Sequence, residues 1–215
     1  MANPTLTISP ATPPDLPGII EVWYASFNLL HIFPDTPIVK SWIAASMLRN
    51  IEGEDGGGTS FWVCKDGEGR VVGFARWFLE EGEVRENEEG RKRNGVTTWE
   101  ERWIGDGGSL CEGVTREGFG NEFMEPMMRQ HEVVMAGRKH YFLEILATHP
   151  DFRQMGVGSR LLEWGVKKAD EEGLDIYLDG SKMGAALYEK FGWVAKREFM
   201  DPDAVSTPML RPGKV

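Results

Sequence analysis

Cysteine is almost missing from this chain: Cys64 and Cys111 are the two thiols among 215 residues. A disulfide scaffold is excluded, and the expected setting is a reducing one, the cytoplasm by default. Long apolar runs are missing too, so no segment reaches the roughly 20 residues that span a bilayer, and no membrane partner is expected. Met1 to Leu6 have neither the basic region nor the apolar core of a secretory signal. Histidine is scarce, at four, and no spacing of His, Cys and carboxylates makes a metal site. Positive charge is in the minority: 24 Lys and Arg against 34 Asp and Glu give a net charge of −10. That balance argues against a nucleic-acid partner and favours a neutral or cationic one. No internal repeat divides the chain.

What is present reads as one domain over residues 1–215, long enough for a full core. Thr5 to Ser9 has the pattern of a first strand, stopped by the Pro10 to Pro14 cluster. Helical spacing follows from about Asp15 to Leu30, through Ile19, Ile20, Trp23 and Phe27, and again from Pro37 to Asn50. Ser60 to Lys65 and Arg70 to Leu79 form a hairpin about Asp66-Gly67-Glu68-Gly69. Residues 80–109 change character: six Glu fall within ten positions, then come Arg91-Lys92-Arg93, Trp99, Trp103 and several glycines. They read as a polar insertion, either a solvated excursion or a lid or partner surface. From about Glu122 to Gly137 a helical stripe carries Phe123, Met124, Met127, Met128, His131, Val134 and Met135, its methionines and His131 better read as packing residues than as ligands. Leu174 to Asp179 is a short strand, Lys182 to Lys190 a short helix and Trp193 to Phe199 a closing strand. Pro202, Pro208 and Pro212 predict an irregular tail.

The chain is organised around the stretch between these parts. Tyr141 to Thr148 is too continuously apolar for an exposed strand and reads as one buried between two layers. Pro150 ends it, and from Val157 apolar or small residues recur at helical intervals. The new helix therefore starts near Gly156, with unpartnered backbone N–H groups and the positive end of its dipole in the first turn. Gly156 and Gly158 let a ligand approach the main chain, and Arg153 adds a guanidinium suited to phosphate. A pyrophosphate fits such a cradle.

The order Arg153-x-x-Gly156-x-Gly158 after a strand, with Ala186-Leu187-Tyr188-Glu189-Lys190-Phe191-Gly192-Trp193 some thirty residues on, resembles the GNAT superfamily of acyl-CoA-dependent N-acyltransferases. The paired signature covers roughly residues 140 to 199. The resemblance implies an α/β fold: a mixed, mostly antiparallel sheet, splayed between the Tyr141 and Leu174 strands, with helices on both faces. It implies acetyl-CoA as cosubstrate, held by Arg153, Gln154, Met155, Gly156, Val157, Gly158 and Ser159. Amides around Leu146, Ala147 and Thr148 would be the oxyanion donors. The first helix pair and its loop would wall the acceptor site, with a small primary amine as partner. A homodimer stays open.

By the same resemblance Tyr188 is the proton donor to the leaving thiolate. It keeps its proton at neutral pH, which suits an acid; the alternative is an aromatic that merely packs. Where the family has Asn and Ala seven and four residues earlier, this chain has Ser181 and Gly184. Ser181 can still hydrogen-bond the pantetheine arm or Tyr188. Glu144 is the first candidate base, because a carboxylate in a buried strand is costly without a task or a partner. A salt bridge to a cation of the insertion, or exposure on an open sheet face, are its other readings. His140 and His149 flank the same strand, and a water chain without a single base also serves. The aromatics Trp23, Phe27, Phe33, Trp62 and Trp77 either line an acceptor pocket or are core. The functional reading is acetyl transfer to an amine by direct attack, since neither cysteine has a neighbouring His signature. The rival is a non-catalytic CoA-binding sensor or scaffold module.

Overall fold

The structure is a computed structural model that describes residues 5–53, 58–82, 85–86, 92–93, 97–105 and 108–214. Its main sheet has seven strands, in the order β1-β2-β3-β6-β7-β9-β8. They are β1 (Thr7–Pro10), β2 (Thr59–Lys65), β3 (Val71–Glu80), β6 (His140–Thr148), β7 (Asp175–Gly180), β8 (Val194–Ala195) and β9 (Thr207–Arg211). A separate two-stranded pair joins β4 (Arg85–Glu86) and β5 (Lys92–Arg93). Every neighbour pair in the main sheet is antiparallel except β6 with β7. The exception follows from connectivity, since a parallel neighbour needs a crossover helix, and α5 (Val157–Glu172) supplies it.

Local chemistry sets these elements. The β2–β3 turn closes because Asp66 Oδ1 accepts the N–H groups of Glu68 and Arg70, each at 3.0 Å. Helix α1 spans Leu16–Ser26, and α2 spans Pro37–Ile51 behind a Thr36 hydroxyl that accepts the Val39 N–H at 3.3 Å. Such a cap is worth about 1 kcal/mol. Helix α3 is Trp99–Trp103, a π-helical segment covers Arg116–Met124, α4 is Glu125–Met135 and α6 is Ala185–Lys190. Two apolar layers result. One packs α1, α2, α3 and the π segment on one sheet face, through residues such as Ile19, Ile43, Phe74, Trp99 and Phe119. The other packs α5 and α6 on the opposite face, through Trp77, Leu161, Leu162, Ile176 and Trp193. Gly165 lets α5 lie directly on Trp77, since a Cβ there would stand 2.4 Å from the indole.

The expected mixed, mostly antiparallel sheet with helices on both faces is present. Three expectations of element are corrected. The closing strand Trp193 to Phe199 is only β8, on the sheet edge, followed by a 3-10 turn over Arg197–Phe199. The tail is not irregular: β9 enters between β7 and β8. Pro208 is tolerated because its carbonyl, not an N–H, is used there, accepting from the Lys196 N–H just past the end of β8 at 2.7 Å. The insertion is polar only in part. Trp99, Arg102 and Trp103 are buried, so α3 belongs to the core wall. Most of the acidic run lies outside the described residues, and of Arg91-Lys92-Arg93 only the backbone of Lys92 and Arg93 is described.

Candidate active site

The sheet forks where β6 and β7 stop pairing. Their last partners are Leu143 and Leu178; beyond these β6 keeps β3, and β7 keeps β9. A cavity of about 950 Å³ fills the fork and reaches both faces of the sheet. On one side it is walled by the start of α5 and by Leu187 and Tyr188 of α6. On the other it is walled by Trp23, Phe27, Trp103, Phe123, Met127 and Met128. Of the expected site residues, Glu144, Leu146 to Thr148, Arg153, Gln154, Gly156 to Ser159, Ser181 and Tyr188 line it together. Met155 does not, and is exposed.

The first wall is made of main chain. Gln154 and Gly156 both have positive φ, +63° and +86°, which turns the loop sharply into α5. A Cβ built on Gly156 would meet no atom within 4 Å, so the backbone there is open to a ligand. The N–H groups of Val157, Gly158 and Ser159 lie in the first turn, where no intrahelical acceptor exists and the dipole is positive. A pyrophosphate fits such a surface. Arg153 Nη2 donates to the Ser26 carbonyl at 3.4 Å, and Ser26 Oγ donates to the Thr148 carbonyl at 3.0 Å, so the end of α1 is tied to the fork. Arg160, in the first turn of α5, donates to the Leu6 carbonyl at 3.2 Å.

Tyr188 is buried, and burial pushes its phenol up to about 12. Its hydroxyl has no hydrogen-bond partner among the described residues, and it borders the cavity. A Cβ at position 184 would stand 2.8 Å from the Tyr188 ring, so Gly184 allows the ring its present position. Ser181 Oγ accepts the Gly184 N–H at 3.1 Å, closing the turn that launches α6.

Glu144 occupies a bulge. Arg76 faces Ile145 and Trp77 faces Leu143, leaving Glu144 as the extra residue of β6. Its carboxylate sits between two buried guanidiniums, 3.1 Å from Arg76 Nη1 and 2.7 Å from Arg102 Nε, and accepts the Trp103 indole N–H at 3.1 Å. Burial alone would raise its pKa; the two arginine charges outweigh that and hold it below the ordinary carboxylate range. Of the readings open for Glu144, this geometry supports the ion pair, with an arginine of the insertion as one partner. A carboxylate so strongly held is a weak base. His140 is also engaged: its Nδ1 donates to the Arg138 carbonyl at 2.7 Å, and burial first of all takes its pKa down to about 4.

Among the expected aromatics, Trp23 and Phe27 border the cavity, whereas Phe33 is core and Trp62 and Trp77 lie under α5 against Trp164. Met124, Met127, Met128 and His131 border it as well. Neither cysteine does, and burial raises both thiols, that of Cys64 to about 11. Sequence reasoning gave no site role to Arg102, Trp103, Phe123 or Asp179, all of which line the cavity. For Asp179 a signal existed: like Glu144, it is an ionisable residue in a short apolar strand.

Residues 113–193 match the acetyltransferase (GNAT) family, a span that takes in α4, the forked strands, the cradle and α6. That match places the GNAT acetyltransferase pattern within residues 113–193 of the chain. Over 68 residues, 31% of this chain, it is 41% identical to tRNA(Met) cytidine acetyltransferase TmcA of Pyrococcus furiosus, and spans 8% of that protein's length. Its fold is similar to that of a histone acetyltransferase HPA2 and related acetyltransferase from Corynebacterium glutamicum. That likeness has a TM-score of 0.57 and 23% identity, over 100% of this chain and 98% of the other. It is also similar to the PaiA N-acetyltransferase of Thermoplasma acidophilum, solved in complex with coenzyme A, with a TM-score of 0.55 and 14% identity over 97% and 99% of the two chains. These two likenesses show the fold. The seven-stranded forked sheet is the GNAT sheet, and acetyl-CoA is the cosubstrate that goes with this domain.

Proposed function

We propose that the protein transfers an acetyl group from acetyl-CoA to a primary amine of a small molecule, by direct attack and with Tyr188 as general acid. Acetyl-CoA, when bound, supplies an acyl group already activated as a thioester. The chain's own work is then placement and proton transfer. Val157, Gly158 and Ser159 offer backbone N–H groups to the phosphates, and Gly156 leaves room for them. The edge of β6 beyond Leu143, freed from β7, offers amides around Leu146 to Thr148 to a developing oxyanion. Tyr188 keeps its proton until a thiolate needs it, and its high pKa makes it an acid and not a base at neutral pH. No cysteine is positioned for a covalent route. Free Cys64 and Cys111 support a reducing, cytoplasmic setting.

The observation that carries this reading is the single cavity that joins the backbone cradle and Tyr188 on one face of the sheet to an aromatic chamber on the other. A module that only bound CoA would have no use for the second half. The test is incubation with acetyl-CoA and a panel of amines while free thiol is followed. Thiol release dependent on an amine supports the transferase; tight CoA binding with no turnover on any amine supports a sensor or scaffold instead.

A further inference from the structure

The acceptor half of the cavity holds one carboxylate that is not committed to an ion pair. Asp179 is the first residue of β7 beyond its last pairing with β6, and its side chain borders the chamber. Side chains alternate along a strand, so Asp179 shares its face with Tyr177, which packs against α4, and not with Leu178, which packs under α5. Its Oδ1 accepts from the Tyr177 hydroxyl at 2.9 Å and from Gln130 Nε2. Its Oδ2 has no partner among the described residues and is not sealed from the cavity.

We infer that Asp179 receives the ammonium group of the acceptor and takes its proton, and that the chamber around it selects amines with an apolar body. This rests on the transferase reading above. Trp23, Phe27, Trp103, Phe123, Met127 and Met128 surround the approach, so the acceptor's body meets rings and thioethers, and its charge has one carboxylate to meet. Glu144 does not compete, because Arg76 and Arg102 hold it. The groups facing Asp179 are, from β7, Tyr177; from α4, Gln130 and His131; from α3, Arg102, already engaged by Glu144; from α6, Tyr188 across the fork; and from the β9 side Ser206, whose carbonyl accepts from Gln130 at 3.3 Å.

His131 stacks flat on Tyr177 with ring centroids 3.9 Å apart, and its Nε2 lies 2.7 Å from His140 Nε2. Since the His140 Nδ1–H donates a hydrogen bond to the Arg138 carbonyl, neutral His140 must accept at Nε2, so His131 donates there and stays uncharged. Asp179 is therefore supported by neutral donors. Desolvation outweighs them and raises its pKa to about 7, which suits a base working at neutral pH.

The proton balance is simple. The docked R–NH3+ gives one proton to Asp179, the nitrogen lone pair forms the new C–N bond as the C–S bond breaks, and Tyr188 protonates the departing thiolate. The second proton that the nitrogen sheds in becoming an amide restores the Tyr188 phenol through water, so that the net product is one proton released from Asp179 to solvent. The experiment compares wild type with Asp179→Asn on phenethylamine and on spermidine, recording kcat/KM against pH and acetyl-CoA affinity by calorimetry. Wild type should prefer phenethylamine, with activity rising through a limb near pH 7. Asp179→Asn keeps the Tyr177 contact, so acetyl-CoA affinity should hold while kcat/KM falls by about 10²–10⁴-fold and the limb disappears. A variant that retains the rate and the limb overturns the base assignment, and strict preference for spermidine overturns the chamber's selectivity. The wild-type profile needs no variant: an enzyme that acetylates amines with no limb near neutrality also removes Asp179. If wild type acetylates no amine at all, the transferase reading fails first.

Discussion

The two halves of the cavity are built from different material. The donor half is backbone: three N–H groups at the start of α5, the unpaired edge of β6, and little else except the Tyr188 hydroxyl. The acceptor half is side chain, assembled from α1, α3, the π segment, α4 and β7. The same contrast holds for their carboxylates. Glu144 is charged and locked between two guanidiniums, whereas Asp179 is held by neutral donors with one oxygen open. A half made of main chain can serve a ligand common to many proteins, and a half made of side chains is where an acceptor is chosen.

The contrast is broken most sharply at Tyr188, the one side chain on which the donor half depends for chemistry. Tyr188→Phe removes an oxygen and leaves the ring against Trp193, at 6.0 Å between centroids. Stability and acetyl-CoA affinity should stay near wild type. The expected loss in kcat is about 10²–10⁴-fold where chemistry limits the rate. Turnover at the wild-type rate, with chemistry shown to be limiting, would leave thiolate protonation to solvent.

Glu144 tests the locked carboxylate. Glu144→Ala should strip two buried arginines of their shared counter-charge, and breaking such a cluster costs about 3–5 kcal/mol. Chemical denaturation would read it as a drop in midpoint. Because the folded-state pKa of Glu144 is depressed, its stabilisation is present above its unfolded value of 4.5 and is lost as pH falls below that. The wild type should therefore shed stability on acidification through this window, and the variant should shed less. An unchanged midpoint would show that Glu144 does not hold α3 to the sheet.

Gly156 tests the backbone half directly. Gly156→Asp places a carboxylate at the mouth of the cradle, at a φ of +86° that Asp tolerates better than most residues. Acetyl-CoA affinity should fall about tenfold or more, about 1.4 kcal/mol, with the fold retained. Calorimetry showing unchanged binding in a folded variant would move the phosphate site elsewhere.

Why one half was legible in the sequence follows from the same contrast. A cradle of N–H groups requires glycines at fixed spacing after a strand, so Arg153, Gly156 and Gly158 announce it within six residues. The buried strand and its crossover helix were legible too, because each has its own periodicity, whereas the fork in the sheet was implied by the family resemblance and by no local pattern. The acceptor chamber has no such local rule. Arg102 meets Glu144 across 42 positions and Gln130 meets Asp179 across 49, and nothing in either neighbourhood encodes the other. The polar stretch before Trp99 hid α3, and the prolines of the tail hid β9, because composition reports average solvation and not which residues turn inward. Trp99 and Trp103, at the end of an acidic run, were the available warning.

The smallest effect is expected at Ser181, and it separates positioning from chemistry. Its hydroxyl accepts the Gly184 N–H at 3.1 Å while its carbonyl accepts the N–H groups of Gly184 and Ala185, so the residue fixes the turn from which the six-residue helix α6 carries Tyr188. Ser181→Ala deletes the hydroxyl's bond, worth about 1 kcal/mol, and leaves the carbonyl in place. A looser start to α6 should lower kcat by less than about tenfold, since about 1.4 kcal/mol would be needed for a full decade. If Ser181 acts only by placing Tyr188, then Ser181→Ala made on top of Tyr188→Phe should cost nothing further in kcat, because the group being placed is already gone. If instead the hydroxyl touches the pantetheine arm, the two losses should add, and KM for acetyl-CoA should rise in both backgrounds. Full additivity with an unchanged KM would fit neither role.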